Sequence, residues 1–213
     1  MFISFEGGEG SGKTSQINLL IKVLKKNNLN YFHTREPGGS EGGENIRKLL
    51  VNGNPNRWDA ETEALLMFAA RRDNYIRNIL PSLEKNHLVI SDRYTDSTRV
   101  YQGLVGGLGL RKINLLSKTF LNNFEPNLTF LLDIDANLGL ERVYKRNNSE
   151  HRFESKGIDY HFLIRKKYHY LSKIYKDRII LIDGSLGIDE INFKIITIIN
   201  KKLNFSLWIL NLK

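Results

Sequence analysis

The run FISFE, residues 2–6, leads straight into GGEGSGKT, residues 7–14, and then into a segment where Ile17, Leu20, Ile21 and Leu24 recur at helical spacing. A buried strand, a glycine-rich turn and a helix in that order constrain the chain more than any other feature it has. Gly7, Gly12, Lys13 and Thr14 satisfy G-x-x-x-x-G-K-[ST], with Gly8, Glu9, Gly10 and Ser11 completing the loop. Glycines let backbone N–H groups converge on a phosphate, and the helix start adds positive potential. Lys13 is then expected to neutralise the β and γ phosphates of ATP, and the Thr14 hydroxyl to help hold Mg²⁺. The loop leaves open what receives the phosphate, and why an acid, Glu9, sits inside an anion site.

Further apolar runs read as buried strands: YFHTRE (31–36), HLVISD (87–92), LTFLLDID (128–135) and RIILID (178–183). Helical patterns lie between them, among them Leu65, Phe68, Arg72, Tyr75 and Ile79 in a segment opened by Asp59. Strand and helix in alternation predict an α/β chain, a parallel sheet covered by helices. No internal repeat and no linker divides residues 1–213, so a single domain is expected. The polar stretch KRNNSEHRFESKG (145–157) falls between two helical patterns and reads as a surface loop or a short lid.

Composition removes several alternatives. The chain has no cysteine, so disulfides, thiolate zinc sites and cysteine-held clusters are excluded, and any metal is expected on oxygen or imidazole. The apolar run at the start stops at Glu6 with no basic segment before it, and LNFSLWILNLK (203–213) is too short to span a bilayer. A cytoplasmic protein without membrane contact is expected. The net charge of +9 would suit a polyanion, but the lysines are spread along the whole chain, which favours solvated lysines over a nucleic-acid face.

The acceptor is sought among arginines. In LVISDRY, Asp92 is available to the water shell of a metal, and Arg93 beside it suits a second anionic substrate better than a water molecule. Arg35 and Glu36 end the second strand, and Arg47 lies on the following helix. Phe68 and Arg72, four apart, share a helical face that offers a ring for stacking and a fork for a base carbonyl. Each of these has an ordinary structural explanation alone; together, after a phosphate loop, they point to a nucleoside monophosphate site.

At this point the chain resembles the bacterial thymidylate kinase family, through FEGGEGSGKT, REPGG with Arg47 downstream, LLMFAARR, DRYTDSTRVYQG, LLDID and HRFES, in the family's order. The resemblance covers nearly the whole chain and implies the P-loop nucleoside monophosphate kinase fold: a five-stranded parallel sheet flanked by helices, with a short lid near 145–157. It implies transfer of the γ-phosphate of ATP to dTMP with Mg²⁺, in a homodimer with no stable nucleic-acid partner. It further implies that Phe68 stacks on thymine, Arg72 reaches a base carbonyl, and Thr98 and Gln102 lie near the pyrimidine edge. Tyr101 would crowd a ribose 2′-hydroxyl, Arg93 and Arg47 would hold the acceptor phosphate, and Glu36 would orient the sugar or a metal-bound water. Glu9 would face the monophosphate near the 3′-hydroxyl, and Arg152 would be the lid arginine that stabilises charge on the transferred group, with Arg142 and Arg146 as neighbours able to share that role.

Two departures stand out: Glu41 replaces a frequent proline, and Lys167 a usual arginine. The competing readings are a kinase of another nucleoside monophosphate, a nucleic-acid-stimulated ATPase and a nucleotide-binding protein without turnover.

Overall fold

Five strands, β1 (Phe2–Glu6), β2 (Tyr31–Arg35), β3 (Leu88–Asp92), β4 (Leu128–Asp133) and β5 (Ile179–Asp183), form one sheet in the order β2-β3-β1-β4-β5, every pair parallel. The structure is a computed structural model and describes residues 1–145, 152–203 and 207. β1, central, is buried along its whole length because helices cover both faces. That is why it reads as a continuous apolar run and not as an alternation. Ile3 and Phe5 point to one face with Ile90, Phe130 and Leu132, where they meet Ile17, Leu20 and Leu24 of α1 (Lys13–Lys26). Phe2 and Val89 point to the other, with Tyr94 and Ile79.

The helices that follow β2 build the far wall of the site. In α2 (Glu41–Val51) the Ser40 side chain accepts from the Gly43 N–H, and in α3 (Ala60–Asn74) Asp59 accepts from the Thr62 N–H, the capping arrangement its position before the helix predicted. A π-helical turn, Tyr75–Ile79, carries α3 into the short α4 (Leu80–Glu84). After β3 the chain runs through α5 (Thr95–Thr98) and a second π-helical stretch, Arg99–Val105, to α6 (Gly109–Leu121), which packs on α3. α7 (Ala136–Tyr144), α8 (Ile158–Ile174) and α9 (Ile188–Leu203) complete the second half. Residues 146–151, most of the expected lid, and 204–206 and 208–213 of the tail lie outside the described residues. Leu207 is buried, its backbone N–H and C=O both held by the Asn200 carboxamide.

Because the crossover from β1 runs to β2 on one side of the sheet and that from β3 runs to β4 on the other, the carboxyl ends of β1 and β3 open onto the crevice where open parallel sheets bind ligands. Phe5 is level with Asp92, and the Arg93 N–H donates to the Phe5 carbonyl at 2.9 Å, so the glycine loop and the Asp92-Arg93 pair emerge side by side.

Candidate active site

A cavity of about 430 Å³ lies over these strand ends, with the loop from Glu9 to Thr14 at one side and Met67, Arg71, Thr98 and Gln102 at the other. Lys13 is buried where α1 begins, and its Nζ donates to the carbonyls of Gly7 (3.1 Å) and Gly8 (2.9 Å) and to Ser11 Oγ (3.3 Å). Burial and the nearby Arg93 charge pull the Lys13 ammonium down to about 8, against the opposing pull of Glu9, Asp92 and Glu6. The loop is also packed from behind: a Cβ on Gly10, at φ +67°, would come within 2.0 Å of the Gly139 carbonyl oxygen on α7.

Glu9 is the hinge between the two sides. Its Oε1 accepts from Arg93 Nη2 at 2.8 Å and from the Tyr101 hydroxyl at 2.9 Å. Burial pushes the Glu9 carboxyl up, but Arg93, Lys13 and the Tyr101 hydrogen bond together outweigh it and hold it at about 2. An acid in an anion site is thereby explained physically: it is an ionised anchor that aims a cation. Arg93 itself takes a left-handed backbone, φ +68°, which costs energy in a non-glycine residue and is over-determined by its contacts. Its Nη1 donates to Gly7 O, Ser97 Oγ and the Tyr168 hydroxyl at 3.1, 3.1 and 3.3 Å, and Ser91 Oγ donates to its carbonyl. Behind it, buried Glu6 accepts from the Tyr94 N–H, the Ser97 hydroxyl and the Tyr168 hydroxyl.

On the far wall, Glu36 directly follows β2 and is joined to Pro37 by a cis peptide bond. Its Oε2 accepts from Arg71 Nε at 2.6 Å, both side chains being 2% exposed. Arg71 Nη2 continues to Thr98 Oγ1 (3.0 Å) and the Tyr94 carbonyl (3.3 Å). Glu36 Oε1 and Arg71 Nη1 are buried without a partner among the described residues, two open valences on one cavity wall. Burial drives the Glu36 carboxyl up to about 7, with Arg71 opposing. Arg47 lines the same cavity and donates to the Pro37 carbonyl, while Arg35 pairs with Glu44 at its mouth. Thr14 Oγ1 donates to Asp92 Oδ2 at 2.9 Å, so a hydroxyl and a carboxylate share one spot beside the loop, the hard oxygen donors a Mg²⁺ ion takes. Among the described residues no cluster of three or more His, Asp or Glu is arranged as a metal cage.

The structure thus brings Glu9, Lys13, Thr14, Glu36, Arg47, Asp92, Arg93, Thr98, Tyr101 and Gln102 around one space, but it corrects three of the expectations. Arg72 is not in the cavity: it is exposed and donates to the Phe120 carbonyl on α6. Phe68 is 2% exposed and packs with Ala64, Ile113 and Leu121 inside the protein, so it offers no free face for stacking. The pair that faces the cavity, again four apart, is Met67 and Arg71, one residue earlier on the same helix. The physical reason is the ion pair with Glu36, which draws Arg71 inward and turns the helix face with it. Arg152 is also displaced from its expected role. It is buried, donates to the carbonyls of Leu50, Asn54 and Pro55 and to Glu63, and so has its nitrogens committed to the α2–α3 connection and not to the phosphate loop. The neighbouring Phe153, which the sequence did not single out, lines the cavity edge-on to Tyr101. Of the other lid arginines, Arg142 is exposed on α7 and Arg146 lies outside the described residues.

A parallel sheet with this loop and a second, arginine-walled subsite define a P-loop nucleoside monophosphate kinase fold. The family model for thymidylate kinase matches residues 5–195. A thymidylate kinase of Caulobacter vibrioides is 44% identical over 95% of this chain and 97% of its own length, and one from Jannaschia sp. is 43% identical over 95% and 97%. A solved thymidylate kinase structure from Ehrlichia chaffeensis superposes with a TM-score of 0.74 at 30% identity, covering 93% of this chain and 98% of that one. The chain belongs to the thymidylate kinase family.

Proposed function

We propose that the protein transfers the γ-phosphate of ATP to dTMP, giving dTDP for dTTP synthesis. The observation that carries this reading is one continuous cavity with a triphosphate loop at one side and a buried, arginine-bearing wall with open hydrogen-bonding valences at the other. In-line phosphoryl transfer needs positioning and charge neutralisation more than covalent chemistry. Lys13 neutralises the donor phosphates; Arg93, aimed by Glu9, and Arg47 hold the acceptor phosphate. Arg71 takes over the base-carbonyl contact first assigned to Arg72, Met67 takes the apolar face first assigned to Phe68, and Thr98 and Gln102 edge the pyrimidine. Tyr101, fixed by its bond to Glu9, crowds the sugar's 2′ position, and the open oxygen of Glu36 faces the sugar or a water.

Mg²⁺ would be held beside Thr14 and Asp92, where it offsets phosphate charge. Arg152 acts in this reading as an anchor and not as a group on the migrating phosphoryl. The chain works as one domain, 1–213, with residues 145–157 as its lid, in a cytoplasmic homodimer. No helix of the described residues is long and apolar enough to cross a membrane. Leu65, Leu115 and Phe120, 56%, 62% and 44% exposed on the packed helices α3 and α6, offer the apolar surface a dimer needs.

The test is ADP release from ATP and Mg²⁺ with dTMP, dUMP, dCMP, dGMP or single-stranded DNA added in turn. Strong stimulation by dTMP and weaker by dUMP is expected. Stimulation by DNA alone, or by a purine monophosphate above dTMP, would overturn the reading.

A further inference from the structure

Gln102 reaches the cavity from the π-helical stretch after α5, and only one end of its carboxamide is committed. Its Nε2 donates to Glu63 Oε2 at 2.9 Å, and both side chains are buried. The other Glu63 oxygen accepts from Arg152 Nη2. Arg152 is itself fixed by three backbone carbonyls, so the carboxylate cannot swing away. A carboxylate shared with a guanidinium is an acceptor only, and a carboxamide facing it must present its NH₂ end. The amide orientation of Gln102 is therefore dictated by Glu63, and its Oε1 is the end left for the cavity.

We propose that Glu63, which does not line the cavity, is a positioning residue for acceptor selection: it locks Gln102 so that a carbonyl oxygen, and not an amide N–H, is offered to the base. An acceptor there suits a base that carries a ring N–H, as thymine and uracil do at N3, and leaves cytosine, whose N3 nitrogen is itself an acceptor, facing acceptor with acceptor. This rests on the dTMP reading above and adds the device that enforces it. Arg152 is the second half of the device, since without it the carboxylate would be free to rotate.

Glu63→Gln tests it sharply. Arg152 still needs an acceptor, so the new amide turns its oxygen to Arg152 and its NH₂ to Gln102. Gln102 must then flip and offer NH₂ to the base. KM for dTMP is expected to rise about tenfold or more with kcat changed far less, and the dTMP-to-dCMP ratio of kcat/KM to fall by about tenfold or more, the scale of an unpaired buried hydrogen-bonding group. The double variant Glu63→Gln, Gln102→Glu restores an acceptor to the cavity and should recover the dTMP preference. A merely structural Glu63 would lower melting temperature without moving selectivity, so an unchanged ratio in Glu63→Gln overturns the proposal. Should the single variant not fold, the swapped pair decides alone: dTMP preference supports the proposal and its loss overturns it. Wild type measured in the same series separates the two claims, because failure of wild type to use dTMP refutes the functional reading itself.

Discussion

Replacing Arg71 and Arg72 one at a time separates the two readings of α3. Arg71 and Glu36 are each 2% exposed, so Arg71→Ala leaves a carboxyl buried without its cation and also strips the bonds to Thr98 Oγ1 and the Tyr94 carbonyl. Breaking a buried pair from one side costs about 3–5 kcal/mol. Burial already holds the Glu36 carboxyl up at about 7, with Arg71 opposing; without Arg71 it takes up a proton at neutral pH, which keeps the loss near the lower end, about 3 kcal/mol. For a chain of this size that corresponds to a fall in Tm of roughly 6–12 °C. Arg72→Ala removes an exposed side chain with one bond to the Phe120 carbonyl, and is expected to cost under about 1 kcal/mol. Thermal unfolding at pH 7 and calorimetric titration with dTMP read both consequences. Arg71→Ala should lose stability and bind dTMP at least about tenfold more weakly, while Arg72→Ala does neither. Equal losses, or a larger binding defect in Arg72→Ala, would refute the assignment of Met67 and Arg71 to the cavity wall.

The lowered Lys13 ammonium, about 8, carries charge below that value and loses it above, so kcat/KM for ATP should fall along an alkaline limb centred near pH 8. A profile flat to pH 9.5 would contradict it. Glu9, held at about 2, contributes stability that is fully present above its unfolded value of 4.5 and is lost as pH falls from there to about 2. Glu9→Gln should flatten that acid limb, by about 3 kcal/mol in urea melts. Gly10→Ala should abolish ATP binding or destabilise the loop, since the added methyl meets the Gly139 carbonyl; normal ATP titration would show that α7 yields. Arg152→Ala should destabilise by about 3–5 kcal/mol through unpaired Glu63, with kcat reduced far less than the ~10³-fold expected of a lost transition-state arginine. A loss of that size at unchanged Tm would place Arg152 on the reacting phosphate.

The sheet was legible because β1, β3 and β4, buried on both faces, announce themselves as apolar runs, and because the partly exposed edge strands β2 and β5 still carry short runs of strand-forming residues: all five expected strands appear, their ends shifted by at most two residues, as where LTFLLDID stops at Asp133. The phosphate loop was legible because glycine, lysine and threonine are required there by chemistry. The far wall was less so. The apolar stripe expected along α3 put Leu65 and Phe68 on one face with Arg72, yet Leu65 is 56% exposed and Arg71 is buried. A charged residue drawn inward by Glu36, thirty-five positions away, reverses the hydropathy signal that periodicity relies on. In the sequence, AARR contains two arginines and Met67–Arg71 has the same spacing as Phe68–Arg72, so the correct pair was present but not distinguished. Arg152 failed for a related reason: its backbone-carbonyl partners at Leu50, Asn54 and Pro55 have no side-chain signature. Glu63 was invisible because an acid in the first turn of a helix is ordinarily a solvated charge favoured by the dipole.

The most direct measurement of the central claim is a single turnover with ATP labelled in its γ-phosphate, an equimolar amount of dTMP and Mg²⁺, followed by separation of the products. The label is expected to leave ATP as the β-phosphate of dTDP, with little inorganic phosphate. Label released as inorganic phosphate, with dTMP unchanged, would contradict it.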